Sequence, residues 1–280
     1  MLKRVLLSSI FFAAAVVAEQ PPLRVVSLNL CTDQLLIALA EPEQIAAVSL
    51  LADEPMMSNY VAKAKTYPAV GNNAEQIIAY SPDLILASNY TDAILSAWLN
   101  KFGYRLVALP LVNTLDEVPF RIEEIATLLQ RPDEGRRLID DYNDRMAQIE
   151  QSLPPLKVIV VAANLYVAGA GTIPDQLLTR MGLVNVASTK ITNGWAYITL
   201  EQLIAWQPDY IILQKDSVNR ASRAEQVFDH NALTVLLQDS QRINVPARYW
   251  ICGGPEIAQA GELIQRQIQQ SQTRNKTREK

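Results

Sequence analysis

Few side chains in this chain of 280 residues could perform metal or acid–base chemistry. The chain has one histidine, His230, and two cysteines, Cys31 and Cys252. A single imidazole cannot form a site that needs several histidines, which excludes most zinc hydrolases. The sequence contains no G-x-S-x-G motif, and nothing in it pairs His230 with a nucleophile. These residue types favour binding over catalytic turnover, and we interpret His230 as a surface or loop residue.

One segment, A-G-A-G-T at 168–172, has the small residues of a phosphate-binding loop. It lacks the third glycine of a dinucleotide fingerprint and the lysine of a P-loop. We therefore interpret it as a turn of small residues that leaves room for a ligand.

The overall composition is that of a folded protein without a nucleic-acid partner. Hydrophobic residues make up 49% of the chain, charged residues 19%, and the formal net charge is −4. No run of lysine and arginine occurs in the body of the chain, so nothing indicates nucleic-acid binding. A length of 280 residues predicts about two domains.

The N-terminus predicts export. Lys3 and Arg4 precede an apolar run from Val5 to Ala18 that ends in small residues, which is typical of a signal peptide at 1–18. The run is shorter than the about 20 residues needed to cross a bilayer, and no cysteine follows it to carry a lipid anchor. We expect cleavage near Ala18 and a soluble, periplasmic mature protein.

The elements that would position a site alternate between short strands and helices, which predicts parallel βα units of an α/β fold. Strands are predicted at 24–28, 45–50, 84–87, 105–109 and 158–161, and helices at 33–40, 76–80 and 132–151. The helix at 132–151 is about 30 Å long, and its apolar stripe consists of Leu138, Ile139, Tyr142, Met146 and Ile149. We expect an N-terminal lobe at 19–131, a connector helix at 132–153 and a C-terminal lobe at 154–280 with a frayed polar tail from Gln265.

An internal repeat supports two related lobes. Residues 75–88 read EQIIAYSPDLILAS and residues 201–214 read EQLIAWQPDYIILQ, with seven identities in fourteen positions. The tetrapeptide D-Q-L-L also occurs early in each half, at 33–36 and 175–178. The two matches keep the same order in both halves, as expected for two α/β lobes of similar topology.

These features together resemble the periplasmic binding proteins of ABC importers, in the class that captures ferric siderophores, haem and vitamin B12. The resemblance covers about residues 23–270 and rests on the E-Q-I/L-I-A-x-x-P-D-x-I motif of each half. It implies two Rossmann-like lobes joined by one long rigid helix, with the ligand in the cleft between them. It also implies a monomer without a cofactor, which captures a metal chelate and delivers it to an ABC transporter permease dimer.

The resemblance assigns Glu75 and Glu201 to docking on the permease, because both start the repeated helix. Helix chemistry is a compatible explanation, since an acidic residue in the first turn stabilises the helix dipole. Asn73 and Thr199 would then be the N-caps, each followed three residues later by a glutamine, as in a capping box.

The ligand is expected at the carboxyl ends of the strands. The predicted ligand-binding residues are Asn29, Cys31, Glu54 and Tyr90 in the first lobe and Tyr166, Trp195, Trp250 and Cys252 in the second. Tyr166 and Trp195 match positions at which the vitamin B12-binding members place aromatic rings. Val70 and Ser88 stand near the points at which those members have tryptophans.

Two questions stay open from the sequence. Exported proteins commonly oxidise an even number of cysteines, so Cys31 and Cys252 form either a disulfide or a pair of free thiols that face the ligand. The alternative function is that of a secreted enzyme that modifies a corrinoid, haem or siderophore in the same cleft. Such an enzyme would release a modified product, whereas a receptor returns its ligand unchanged.

Overall fold

The computed structural model describes residues 24–214 and 241–278. The predicted signal peptide and His230 lie outside these described residues.

The N-terminal lobe is a parallel sheet covered by helices. Its strands are β1 (Val25–Ser27), β2 (Ile45–Ser49), β3 (Ala69–Val70), β4 (Leu84–Ser88) and β5 (Leu106–Leu109). Its helices are α1 (Leu30–Leu39), α2 (Val61–Ala64), α3 (Ala74–Ala79) and α4 (Ala93–Lys101). The strand order is β3-β2-β1-β4-β5. The chain therefore changes direction between β1 and β4, the switch point at which such sheets bind ligands.

Alternating residues of each strand pack against opposite layers, as a parallel sheet buried on both faces requires. Leu84 and Leu86 of β4 belong to the core on the side of α1, whereas Ile85 and Ala87 belong to the core under α3 and α4. The predicted strand at 84–87 is confirmed by this two-sided burial.

Two helices, α5 (Glu117–Leu128) and α6 (Pro132–Ile149), connect the lobes. The predicted stripe of α6 faces the core, since Tyr142, Met146 and Ile149 are buried. Gly135 allows the two helices to approach, because a Cβ atom there would lie 2.5 Å from the Cβ of Ala126. No helix was predicted for α5, and α6 ends at Ile149, two residues before the predicted end.

The C-terminal lobe is a mixed sheet. Its strands are β6 (Lys157–Ala162), β7 (Tyr166–Ala168), β8 (Val184–Asn185), β9 (Trp195–Tyr197), β10 (Tyr210–Leu213) and β11 (Arg242–Asn244). Its described helices are α7 (Ile173–Arg180), α8 (Leu200–Ala205) and α9 (Ile257–Arg278). The strand order is β11-β10-β6-β7-β9, with β8 also paired to β6, and β7 and β9 are antiparallel to their neighbours.

The expectation of a frayed tail from Gln265 is wrong, because α9 continues to Arg278. Ile268 and Ser271 are buried in this part of the helix. The side chain of Gln267 accepts a hydrogen bond from the N–H of Asn244 (3.2 Å) and donates one to its carbonyl oxygen (3.0 Å). These contacts hold the polar helix on the edge of the second sheet.

The sequence repeat is also a structural repeat. In each copy a short helix ends, one residue adopts a left-handed conformation (φ 46° at Ser81 and 47° at Gln207), and a Pro-Asp pair leads into a strand. The aspartate N–H then donates a hydrogen bond to a carbonyl oxygen at the beginning of the lobe's central strand. Asp83 donates to Arg24, the residue before β1 (2.9 Å), and Asp209 donates to Lys157, the first residue of β6 (2.7 Å).

The two lobes share a core. One cluster of buried apolar residues runs from Leu36 of α1 through Met146 of α6 to Ile257 of α9. Each lobe also has a second cluster on the outer face of its own sheet. The α/β fold of two lobes joined by a long helix is thus confirmed. Among the helices of the described ranges, none combines the length and the apolar character needed to cross a bilayer.

Candidate ligand-binding cleft

The first-lobe wall of the cleft lies at the carboxyl ends of β1 to β4. An open cavity of about 410 Å³ there is lined by Leu28, Asn29, Ser49, Leu50, Leu51, Val70, Gly71, Asn72, Ser88, Tyr90 and Thr91. Leu50 and Tyr90 are largely exposed, at 64% and 75%. The cavity coincides with the switch point of the sheet, and it contains the predicted residues Asn29 and Tyr90.

Asn29 shapes the floor of this cavity. It is the N-cap of α1, and its Oδ1 accepts hydrogen bonds from the N–H groups of Cys31 (3.0 Å) and Thr32 (3.2 Å). Its Nδ2 is buried and has no hydrogen-bond partner among the described residues. The cap therefore uses the oxygen of the amide and leaves its nitrogen without a partner among the described residues.

Asp33 supports the cavity from below. It is fully buried, and its carboxyl group accepts hydrogen bonds from the N–H (3.0 Å) and the hydroxyl (2.5 Å) of Ser49. Burial raises the pKa of Asp33 to about 6, although hydrogen bonds from Ser27 and Ser49 act in the opposite direction. Asp33 thus fastens α1 to the end of β2 and does not contact the open cavity.

The second lobe presents three adjacent aromatic rings, of which Tyr166 and Trp195 are stacked and Tyr197 is tilted against Tyr166. The ring centroids of Tyr166 and Trp195 lie 5.2 Å apart, and those of Tyr166 and Tyr197 lie 4.6 Å apart. Tyr166 stands opposite Ala162, the last residue of β6, so the group lies near the carboxyl end of the central strand. Tyr197, which is 70% exposed, was not among the predicted residues. The alternation Trp195-Ala196-Tyr197 in a strand places both rings on one face and could have indicated it.

A tight turn directly precedes Tyr166 and sets the position of its backbone. The two preceding residues, Asn164 and Leu165, both have left-handed backbones with φ of 58° and 55°. This conformation is unfavourable for a leucine, but Leu165 is held in place because it is buried in the outer core of the lobe. Strained backbone of this kind is often found at binding sites.

Cys31 and Cys252 form a disulfide that crosses from one lobe to the other. Their Cα atoms lie 5.0 Å apart, although 221 residues separate them in the sequence. The bridge joins the first turn of α1 to the segment before α9. It lines a second, small cavity of about 30 Å³ between the lobes, together with Asn29, Gln34, Arg121 and Glu256.

Polar contacts beside the disulfide also link the lobes. Asn59 donates from its side chain to the carbonyl oxygen of Arg248 (2.9 Å) and to Oε1 of Gln34 (2.7 Å). Tyr60 hydrogen bonds to the carboxyl group of Glu256, whose pKa is raised mainly by burial. Burial and the neighbouring Glu256 likewise raise the pKa of Tyr60. The phenol therefore remains the donor in this contact.

Two predicted ligand-binding residues lie elsewhere. Trp250 is only 6% exposed and packs in the core that the lobes share, rather than on a cleft wall. Glu54 is exposed, and its carboxylate accepts the N–H of Met56 (3.3 Å) within its own loop. Neither residue lines the two cavities described above.

Glu75 and Glu201 are both exposed in the first turns of α3 and α8. The predicted N-caps form, since Asn73 and Thr199 accept hydrogen bonds from the N–H groups three residues later. Of these two helices, only α8 has a complete capping box. In α3 the side chain of Gln76 accepts the N–H of Gly71 instead of the N–H of the N-cap residue. Hydrogen bonds from its own N–H and from Thr199 lower the pKa of Glu201, which keeps this carboxylate charged.

Two further features bear on catalysis. Within residues 24–214 and 241–278, no three His, Cys, Asp or Glu side chains lie together as a metal site would require. The glycine turn at 168–172 packs against Ile191, since a Cβ atom on Gly169 would lie 2.4 Å from that side chain. Close packing therefore explains the small residue at Gly169.

The chain has a doubly wound first lobe, a second α/β lobe, a long helix that joins them and a cleft at the ends of their strands. These features define a two-lobed α/β binding protein. The sequence pattern of the periplasmic binding protein family matches residues 25–236, and the chain belongs to this family. It is a family of binding proteins and not of enzymes.

Individual relatives agree with this family. A vitamin B12-binding protein of Pectobacterium atrosepticum is 26% identical over 259 residues, which cover 88% of each chain. A periplasmic haem-binding protein of Roseiflexus superposes with a TM-score of 0.74 at 21% identity, over 89% of this chain and 98% of that one. The periplasmic vitamin B12-binding protein of Vibrio cholerae superposes with a TM-score of 0.64 at 21% identity, over 90% and 98%. The two structures share the fold of this chain.

Proposed function

We propose that the mature chain is a periplasmic receptor that captures a metal chelate and delivers it to an ABC transporter permease dimer. Residues 1–18 would be the signal peptide, cleaved near Ala18, and the mature receptor would act as a monomer. The observation that carries the proposal is the pair of cleft walls: an open cavity at the switch point of one sheet and a group of three adjacent aromatic rings at the central strand of the other.

The chemistry of these walls favours a bulky chelate with little net charge. None of the residues that line the first-lobe cavity carries a charge, and the second wall is formed by Tyr166, Trp195 and Tyr197. A strongly anionic ferric siderophore would lose its hydration there without gaining a cationic partner. Aromatic rings bury a large area at a low cost in entropy. Cobalamin is therefore the first candidate, haem the second, and a siderophore the third.

Permease docking is the second part of the proposal. Glu75 and Glu201 occupy the same place in the two copies of the repeat, are exposed, and start helices at the carboxyl-end side of their sheets. One carboxylate on each lobe would suit a permease dimer, because each subunit could bind one glutamate through an arginine.

The experiment is a tryptophan-fluorescence titration of the mature chain with cyanocobalamin, haemin and a ferric hydroxamate. We expect saturable quenching by cyanocobalamin. Trp195→Ala should weaken binding by about 1–3 kcal/mol, because the variant removes one ring of the aromatic wall. Trp98→Ala, which removes a tryptophan from α4, is the matched control and should bind as the wild type does. Equal affinities of Trp195→Ala and the wild type would place the ligand elsewhere, and the absence of saturation by all three probes would refute the proposed receptor function.

A further inference from the structure

We propose that Gly71 is a specificity-determining residue, because its missing side chain leaves room in the open cavity for a bulky substituent on one face of the chelate. This inference rests on the proposed receptor function. Gly71 directly follows β3 and lines the open cavity of about 410 Å³ on the first-lobe wall. Binding pockets for small molecules have volumes of about 300–1,000 Å³. This wall alone therefore has space for a substantial part of a ligand.

The other glycines of the chain are explained by their backbone or by their packing. The chain has ten glycines. Five of them have a positive φ, which side chains disfavour: Gly103, Gly171, Gly182, Gly194 and Gly253. At four others a Cβ atom would lie 2.3 to 2.5 Å from another atom: Gly135, Gly169, Gly254 and Gly261.

Gly71 belongs to neither group. Its φ is not positive, and a Cβ atom there would lie 3.4 Å from Oε1 of Gln76 and 3.7 Å from Cδ1 of Leu50, which are ordinary contact distances. Apart from its chain neighbours, no other atom of the described residues lies within 4 Å of that position. A larger side chain would thus extend beside Leu50, which lines the same cavity. What the glycine preserves is therefore space in the cavity.

The internal repeat places an aromatic ring at the equivalent position of the second lobe. Gly71 lies four residues before Glu75, and Tyr197 lies four residues before Glu201. β3 and β9, which precede the two repeated helices, are both edge strands of their sheets. One lobe thus projects an exposed ring at this position, whereas the other lobe has no side chain there.

The same contrast holds two residues earlier, where Ala69 stands in the first lobe and Trp195 in the second. A ligand between the lobes would therefore meet an aromatic surface on one side and an open cavity on the other. A chelate with one flat face and one bulky face fits these two different walls.

The lining of the cavity favours recognition by shape and apolar surface. The N–H of Gly71 already donates to Oε1 of Gln76 (3.2 Å), and the hydroxyl of Ser88 accepts the N–H of Tyr90 (3.2 Å). Leu50 follows β2 and Tyr90 follows β4, and these strands lie on either side of β1. Two largely exposed apolar side chains therefore flank the floor of the cavity.

The first test compares two corrinoids on the wild-type protein by fluorescence titration. Cyanocobalamin carries a bulky nucleotide on one face of its corrin ring, and dicyanocobinamide has the same ring without the nucleotide. We expect cyanocobalamin to bind at least about tenfold more tightly, because only its nucleotide can fill the open cavity. This comparison needs no variant, so it decides the matter even if a substitution at Gly71 prevents folding.

The second test is the variant Gly71→Leu, which fills part of the cavity. We expect its affinity for cyanocobalamin to fall at least about tenfold, because the new side chain and the nucleotide would compete for the same space. Its affinity for dicyanocobinamide should stay at the wild-type value. The matched control is Ala97→Leu, which enlarges an exposed side chain of α4 outside both cavities. It should retain both affinities.

The outcomes separate the two proposals. Equal affinity of the wild type for the two corrinoids overturns the role of Gly71 and leaves the receptor function in place. A Gly71→Leu variant that binds cyanocobalamin as the wild type does, or that weakens both corrinoids equally, has the same consequence, and so does binding of haemin alone. No saturable binding of cyanocobalamin, haemin or the ferric hydroxamate overturns the receptor function and the role of Gly71 with it.

Discussion

At the scale of single residues, the cleft depends on polar groups at and beneath its first-lobe wall. Asn29 and Asp33 lie within the first six residues after β1, at the N-cap and in the first turn of α1. Asn29 caps the helix, and Asp33 ties it to Ser49 at the end of β2. The wall of the open cavity is therefore held in place by hydrogen bonds within the protein.

Asp33 should make the stability of the protein depend on pH. Its folded pKa of about 6 lies above the ordinary value of 3.8. Between these values the folded state holds a proton that the unfolded state has lost, so the free energy of unfolding falls as the pH rises from about 4 to about 6. The difference between these two pKa values corresponds to roughly 3 kcal/mol.

Asp33→Asn should remove this contribution. The amide is neutral at every pH and can still accept the N–H of Ser49. We expect the variant to be more stable than the wild type by up to roughly 3 kcal/mol at pH 8 and nearly equal to it at pH 4. Urea unfolding at pH 4, 6 and 8 measures the difference, and the exposed Asp53→Asn is the control. A constant difference across the three pH values would contradict the assignment.

Sequence reasoning located some of the cleft residues and not others. Asn29 and Tyr90 follow strands at the switch point, so the rule about carboxyl ends placed them on the cavity that the structure shows. The same rule placed Trp250 on the cleft, but its ring is buried in the core. An aromatic residue near a strand end can point to either side, and the burial that decides this arises only from tertiary packing.

At the scale of elements, the spacing of apolar residues predicted the helices and strands with a regular apolar pattern. It did not predict the polar end of α9. The stripe of α6 and the two-sided burial of β4 follow from apolar spacing. The last three turns of α9 are rich in Gln, Thr and Arg, and α9 remains helical there because Ile268 and Ser271 pack on the second sheet. Composition alone gave no sign of that contact.

The repeated helices α3 and α8 lead to a prediction about delivery. The variant with both Glu75→Lys and Glu201→Lys should lose ligand uptake and stimulation of the permease ATPase, because reversed charges would face the permease arginines. Ligand affinity should stay at the wild-type value, since neither glutamate lines either of the two cavities described above.

The matched control for this experiment is Glu43→Lys with Glu123→Lys, which changes the net charge equally at two exposed glutamates outside the repeat. It should support uptake. Normal uptake by the first variant would leave helix capping as the sufficient role of Glu75 and Glu201, whereas reduced ligand affinity would place them near the ligand.

At the scale of the whole molecule, two covalent connections join the lobes. The chain passes between them through α5 and α6, and the disulfide joins them again across the cleft floor. Sequence reasoning left the disulfide and the free thiols as alternatives, because the distance between residues 221 positions apart is a property of the complete fold. With a shared core and two connections, the lobes should move little relative to each other.

Removing the disulfide tests this rigidity. The variant with Cys31→Ser and Cys252→Ser should lose about 2–5 kcal/mol of unfolding free energy, because the bridge restricts a loop of most of the chain in the unfolded state. The hydrogen bonds of Asn59 and Tyr60 to the second lobe remain, so the lobes should stay associated while their interface opens more often. Amide hydrogen exchange should therefore rise at 58–60 and 248–256 and stay unchanged in β1, β4, β6 and β10. The wild-type protein treated with a reducing agent should reproduce the variant, and an unchanged unfolding free energy in both would show that the bridge does not constrain the lobes.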